Sequence, residues 1–198
     1  GEIHTLKRFF ARTGLRWFEA ELPRGEMGRI YFRGQVVKVD EYFLKPEEKS
    51  FKRQPVNIMA EPGTMLINRD CYFLYDYGGW ADTLAHEIVH WCMHAKFFEI
   101  MALLNENENS LHCEIMPVVS NENLEGLEKA RWFVEWQANV LAPRILMPRW
   151  IFNDYFSKKL QAARNNLQVL GLLSEGAVME EALAETAEIF HVSKEEVK

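Results

Sequence analysis

Hydrophobic and polar positions repeat differently along this chain, and each pattern predicts an element. From Leu84 to Leu104 there is no Gly or Pro, and Ile88, Val89, Trp91, Cys92, Phe97, Phe98, Met101 and Leu104 leave little polar surface. That stretch predicts a helix buried on most sides, begun after the break at Asp76-Tyr77-Gly78-Gly79 and capped by Asp82 or Thr83. A second helix is expected around Trp132 to Ala142. There Trp132, Trp136 and Val140 form one stripe, and Glu135, Ala138, Asn139 and Ala142 form another face. Gln35 to Leu44 alternates partly and suits a strand, and two more strands read as Thr64 to Asn68 and Cys71 to Tyr77, joined by Asn68-Arg69-Asp70. Residues 4–19 predict an initial helix, Gly25 to Gly34 a turn-rich stretch, and Pro46 to Arg53 a charged surface. Asn105 to Lys129 reads as a long loop or insertion opened by the polar run Asn105 to Ser110. After Pro148 the pattern turns helical again, punctuated by Gly171 and Gly176. The sum is an α+β fold over residues 1–150 with a helical appendage over 151–198.

Within the first helix stands His86-Glu87-Ile88-Val89-His90, an HExxH run. Positions i and i+4 of a helix share a face, so two imidazoles so placed can hold one Zn²⁺ side by side. The intervening Glu87 can reach a water on that metal and take its proton. The bland reading is a helix with two ordinary histidines and a solvated Glu. Against it, a helix this apolar buries its polar side chains, and buried His and Glu are costly without partners.

A catalytic zinc usually has three protein ligands. His94 is tempting, but at ~1.5 Å rise per residue it lies about 12 Å along the axis from His86. One ion with Zn–N bonds of ~2 Å cannot span both. His94 therefore reads as packing or a rim residue. Glu135 is the better candidate, because Ala138 and Ala142 would let its face lie close against the HExxH helix. Asn139 could then orient a histidine from behind. Taken alone, Glu135 reads more readily as a solvated carboxylate on an amphipathic helix than as a ligand.

Two blocks, Thr83-Leu84-Ala85-His86-Glu87-Ile88-Val89-His90 and Glu135-Trp136-Gln137-Ala138-Asn139-Val140-Leu141-Ala142-Pro143-Arg144-Ile145-Leu146-Met147-Pro148, resemble the ImmA/IrrE family of zinc metallopeptidases. That family has TLAHExxH followed by ExxAN and a small-residue stretch ending in LLMP. The resemblance implies a zincin-like peptidase domain with a small twisted sheet, His86, His90 and Glu135 as metal ligands, and Glu87 as catalytic base. It implies a cut helix-turn-helix transcriptional repressor as the protein substrate. Residue 89 is Val where many members have Gly, and the spacing from His90 to Glu135 is longer than in compact members. The tail from Ala184 to Val197 is similar to the helix-turn-helix segment that follows the peptidase domain in this family. It is also acidic, with Glu181, Glu185, Glu188, Glu195 and Glu196, so a packing role is expected over direct nucleic-acid binding.

Composition narrows the classes further. A net charge of −6 disfavours non-specific binding to phosphate backbones. No 18-residue apolar run proposes a membrane span, and the first residues lack a signal-peptide core. Cys71, Cys92 and Cys113 are odd in number and widely spaced, which fits reduced thiols in the cytoplasm rather than a disulfide framework. The leading expectation is a zinc-dependent endopeptidase; the same donor set also suits Mn²⁺ or Fe²⁺. The alternative is a metal-supported anti-repressor that binds without cutting, and the intact Glu87 argues against it, because a structural site needs only ligands.

Overall fold

The computed structural model describes residues 12–45, 50–104, 110–114, 124–171, 174–190, 192 and 194–198. It is an α+β arrangement whose strands come mainly first. The strands are β1 (Arg16–Ala20), β2 (Glu26–Tyr31), β3 (Gln35–Lys45), β4 (Ser50–Ala60), β5 (Thr64–Asn68) and β6 (Ser110–Glu114). One four-stranded sheet has the order β1-β5-β2-β6, and β3 and β4 form a separate antiparallel ribbon. β1 runs parallel to β5, with Arg16 opposite Thr64 and Ala20 opposite Asn68. β2 is antiparallel to both β5 and β6.

The two-residue period of a strand decides where the core sits. Ile30, Met65 and Ile67 point to one face and pack with Leu15, Leu84 and Ile88. Tyr31, Leu66 and Ala20 point to the other and pack with Val37, Val39 and Ala60 from the ribbon. All five residues of β5 are buried. The sheet is thus sandwiched between a helix and a ribbon. Each fully buried Ile, Leu or Met side chain is worth roughly 1.5–3 kcal/mol against exposure, so these two faces hold the helix in place.

That helix, α1, covers Asp70–Val89. A π turn at His90–His94 and α2 (Ala95–Leu104) continue it. It starts well before the expected cap, so the strand expected at Cys71 to Tyr77 is helical instead. Asn68 supplies the reason: its Nδ2 donates to the Glu26 carbonyl at 2.8 Å, and its Oδ1 accepts the Asp70 N–H at 3.1 Å. The Arg69 N–H donates to the Ala20 carbonyl. The chain is turned into a helix there rather than a hairpin. Thr83 is an interior residue whose hydroxyl donates to the Gly79 carbonyl at 2.8 Å, not a cap. Gly78 and Gly79 cost about 1 kcal/mol each relative to Ala, which burial of Leu84, Ala85 and Ile88 outweighs. Burial is continuous from Thr83 to Val89 of α1 but fades in α2, where Ile100 and Leu103 are exposed.

Other expectations are corrected as well. Arg16–Ala20, expected inside an initial helix, is strand β1; residues 4–11 of that stretch lie outside the described residues. The turn-rich stretch contains β2, a paired interior strand. Of the charged surface expected at Pro46 to Arg53, residues 46–49 lie outside the described residues, while Lys52 and Arg53 are exposed as expected, on strand β4. Ser110–Glu114 of the expected long loop is the edge strand β6, while the polar run at 105–109 lies outside the described residues. The expected strands at Gln35 and Thr64 are β3 and β5.

Three longer helices and a short one follow or flank this layer: α3 (Gly126–Leu146), α4 (Arg149–Val169), α5 (Glu175–Phe190) and α6 (Lys194–Val197). α3 packs on α1. α4 and α5 share a cluster of Ala163, Leu167, Val178 and Ala182, and Val197 of α6 closes on Leu183 and Ala187. No helix of the described residues is long and apolar enough to cross a membrane.

Candidate metal centre

The site lies where α1 and α3 meet. Ala138 and Ala142 on α3 are buried to within 1 % exposure, and Val134 beside them is also buried. Small side chains let the helix axes approach, which brings Glu135 onto the face carrying His86 and His90. The Glu135 Oε2 lies 3.2 Å from His86 Nε2, and Oε1 lies 3.5 Å from His90 Nε2. The two Nε2 atoms are 2.8 Å apart. Two ligands at tetrahedral angles on a zinc ion are separated by about 3.3 Å, given Zn–N and Zn–O bonds of ~2.0–2.2 Å. The three observed separations bracket that value, so His86, His90 and Glu135 could hold one metal ion. Among the described residues they are the group of His, Cys, Asp and Glu whose donor atoms converge in this way.

The charges suit a cation. Burial alone would raise the Glu135 carboxyl, but its bonds to His86 and His90 outweigh that and hold it at about 2. Burial lowers His90 to about 4, against a partial upward pull from Glu135. At neutral pH the cluster therefore carries an ionised carboxylate and a neutral His90 imidazole, the forms that bind metals.

Glu87 points elsewhere, toward the sheet. It is completely buried, and both of its carboxylate oxygens lack a hydrogen-bond partner. Burial pushes its carboxyl well above the ordinary range; the charges of Glu135 and Glu26 add to this and Arg29 opposes it. The last two form a bidentate pair on β2, at 2.6 and 2.8 Å. An orphaned buried carboxylate costs several kcal/mol, and nothing in the packing requires it.

Gly28 permits that arrangement. A Cβ built there would stand 2.7 Å from Thr83 Cγ2 and 2.9 Å from Glu87 Oε1. Any side chain at 28 would push α1 off the strand. The sequence signal was a glycine inside a short run with strand character, which marks close approach.

His94 lies outside the converged donor set, and its burial fits the packing reading rather than the rim reading. It is buried, its Nδ1 lies 3.0 Å from His90 Nδ1, and its Nε2 lies 3.0 Å from Gln137 Oε1. Burial lowers its pKa, with the Gln137 bond and the Glu135 charge pulling upward. Asn139 stands one turn beyond Glu135 on α3 and is exposed. His112 and Cys113 lie on β6, with backbone opposite Arg29 and Gly28. Cys92 is a free, exposed thiol. Comparison of the chain with family models, with curated proteins and with solved structures found no match.

Proposed function

We propose that the chain is a zinc-dependent endopeptidase of the zincin type, related to the ImmA/IrrE family by the two motif blocks it resembles. The observation that carries this reading is Glu87, a fully buried carboxylate with no partner beside a converged His86–His90–Glu135 donor set. A structural metal site would not keep so costly a group.

In this reading His86, His90 and Glu135 hold the ion, and Asn139 helps to orient the histidines. When bound, Zn²⁺ polarises the scissile carbonyl and makes water a nucleophile at neutral pH. Glu87 removes a proton from the attacking water as its oxygen bonds to the carbonyl carbon. As the C–N bond breaks, Glu87 gives that proton to the departing amine. The raised Glu87 carboxyl favours holding the proton between the two steps. Gly28 keeps Glu87 in place by letting α1 lie against β2. The substrate follows from the resemblance: a helix-turn-helix transcriptional repressor, cut to relieve repression in the cytoplasm.

The test is to incubate a purified helix-turn-helix repressor with the zinc-loaded chain, the chelator-stripped chain and the zinc-loaded Glu87→Gln variant. Discrete fragments are expected by mass spectrometry from the first alone. Loss of the base should slow cutting by roughly 10²–10⁴-fold while zinc stays bound. Cutting by Glu87→Gln at the wild-type rate would sink the reading.

A further inference from the structure

We infer that His94 and Gln137 are positioning residues of the metal centre: the Gln137 amide oxygen sets the proton order of His94 and His90 so that the bare Nε2 of His90 faces the cation site. The inference rests on the reading of His86, His90 and Glu135 as metal-holding residues.

Gln137 Oε1, 3.0 Å from His94 Nε2, has only lone pairs to offer. The proton between them therefore sits on His94 Nε2. A neutral imidazole with its proton on one nitrogen accepts at the other, so His94 Nδ1 is an acceptor. It lies 3.0 Å from His90 Nδ1, and that contact needs one proton, which must come from His90. His90 is then protonated at Nδ1 and bare at Nε2, the atom 2.8 Å from His86 Nε2 and 3.5 Å from Glu135 Oε1. One amide oxygen on α3 thus determines which nitrogen of a residue on the opposite helix is free to bind a metal. A metal-binding histidine commonly donates its second N–H to a carboxylate, carbonyl or water. Here an imidazole passes that role on to an amide.

The backbone is shaped for this. His90–His94 is a π turn, wound i→i+5, and such turns occur mostly as single insertions at functional sites. Across this turn the two ring centroids are 5.1 Å apart. His94 is 4 % exposed, so water does not compete for its nitrogens. Residue 137 is two positions from Glu135, so α3 supplies both a metal-holding group and the anchor of the relay.

Long-range ¹H–¹⁵N correlation spectra of the zinc-loaded full chain read the tautomers directly. We expect His90 protonated at Nδ1 and His94 at Nε2; His94 protonated at Nδ1 would overturn the inference. Zinc affinity by chelator competition gives an independent reading. His94→Leu should weaken binding by about 10–100-fold. His94→Gln, whose amide oxygen can still accept from His90, should recover most of that loss, which a purely space-filling role would not produce. Gln137→Met, at an exposed position, should weaken binding in the same direction by less, and it serves if His94→Leu does not fold. Unchanged zinc affinity in both His94→Leu and Gln137→Met refutes the relay. A wild-type chain that binds zinc through this relay but cuts no repressor refutes only the peptidase reading, and one that binds no zinc refutes both.

Discussion

The α1–α3 junction and the α4–α5 junction are built from the same device and used for opposite ends. Both bring helices close with small residues, Ala138 and Ala142 in one, Ala163 and Ala182 in the other. At α4–α5 the space gained is filled with Leu167 and Val178, and the charges stay outside as Lys159–Glu185 and Arg164–Glu175 pairs. At α1–α3 it admits three histidines and Glu135, with Glu87 buried alongside. The buried polar groups of α4–α5 amount to a hydroxyl, Thr186 Oγ1, without a partner. Those of the metal junction are two carboxylate oxygens and a converged donor set. Close packing is thus a permission, and the residues placed in the gap decide whether it yields an apolar core or a donor set that could hold a metal.

The comparison can be broken most forcefully at its ligands. Glu135→Ala should lower zinc affinity by more than the ~10–100-fold that loss of an outer partner costs, leaving α4 and α5 untouched. Isothermal titration and far-UV circular dichroism would show the two effects apart. Next in size is Leu84→Ala, which removes a fully buried side chain between α1 and the sheet. It should cost about 2–5 kcal/mol in chemical denaturation. Ala138→Leu and Ala182→Leu then sharpen the contrast. Each should overpack its junction by about 1–3 kcal/mol, but only the first should lose zinc. Equal zinc binding by both would mean that close approach of α3 is not what assembles the site. Of similar size, but opposite in sign, is Glu87→Gln. Removing a buried ionisable group should raise the stability of the metal-free chain, by about 1–3 kcal/mol. A lower thermal midpoint would show that Glu87 supports the fold. Last, Lys159→Ala should change stability by no more than about 1 kcal/mol, since its pair with Glu185 is partly solvated.

What the sequence made legible divides along the same line. α3, the second half of α1, β3 and β5 carry regular periods, and the structure has them where those periods lie. Helical spacing and a small-residue face made Glu135 a candidate partner of His86 and His90, but spacing alone favoured a solvated carboxylate, and it was the resemblance of the Glu135–Pro148 block that singled it out. β1, β2 and the first half of α1 were misread because each contains or borders residues that usually break structure. Gly28 interrupts a strand only in composition; in space it makes room for Glu87. Gly78 and Gly79 stand inside a helix whose start is set by Asn68, a contact with β2 that no local pattern encodes. β6 is an edge strand in a polar stretch, held by pairing with β2 rather than by its own propensity. His94 was read as packing and is buried, yet its partnership with Gln137 depends on the π turn and on the approach of α3, both tertiary features.

The central claim is that two imidazoles and one carboxylate from α1 and α3 hold a single metal ion. X-ray absorption at the zinc edge of the stoichiometrically loaded full chain tests it most directly. The account predicts one zinc per chain with two nitrogen neighbours and carboxylate oxygen at about 2.0–2.2 Å, the oxygen shell altered in Glu135→Ala. A sulfur neighbour near 2.3 Å, a third imidazole, or a spectrum indifferent to Glu135→Ala would contradict it.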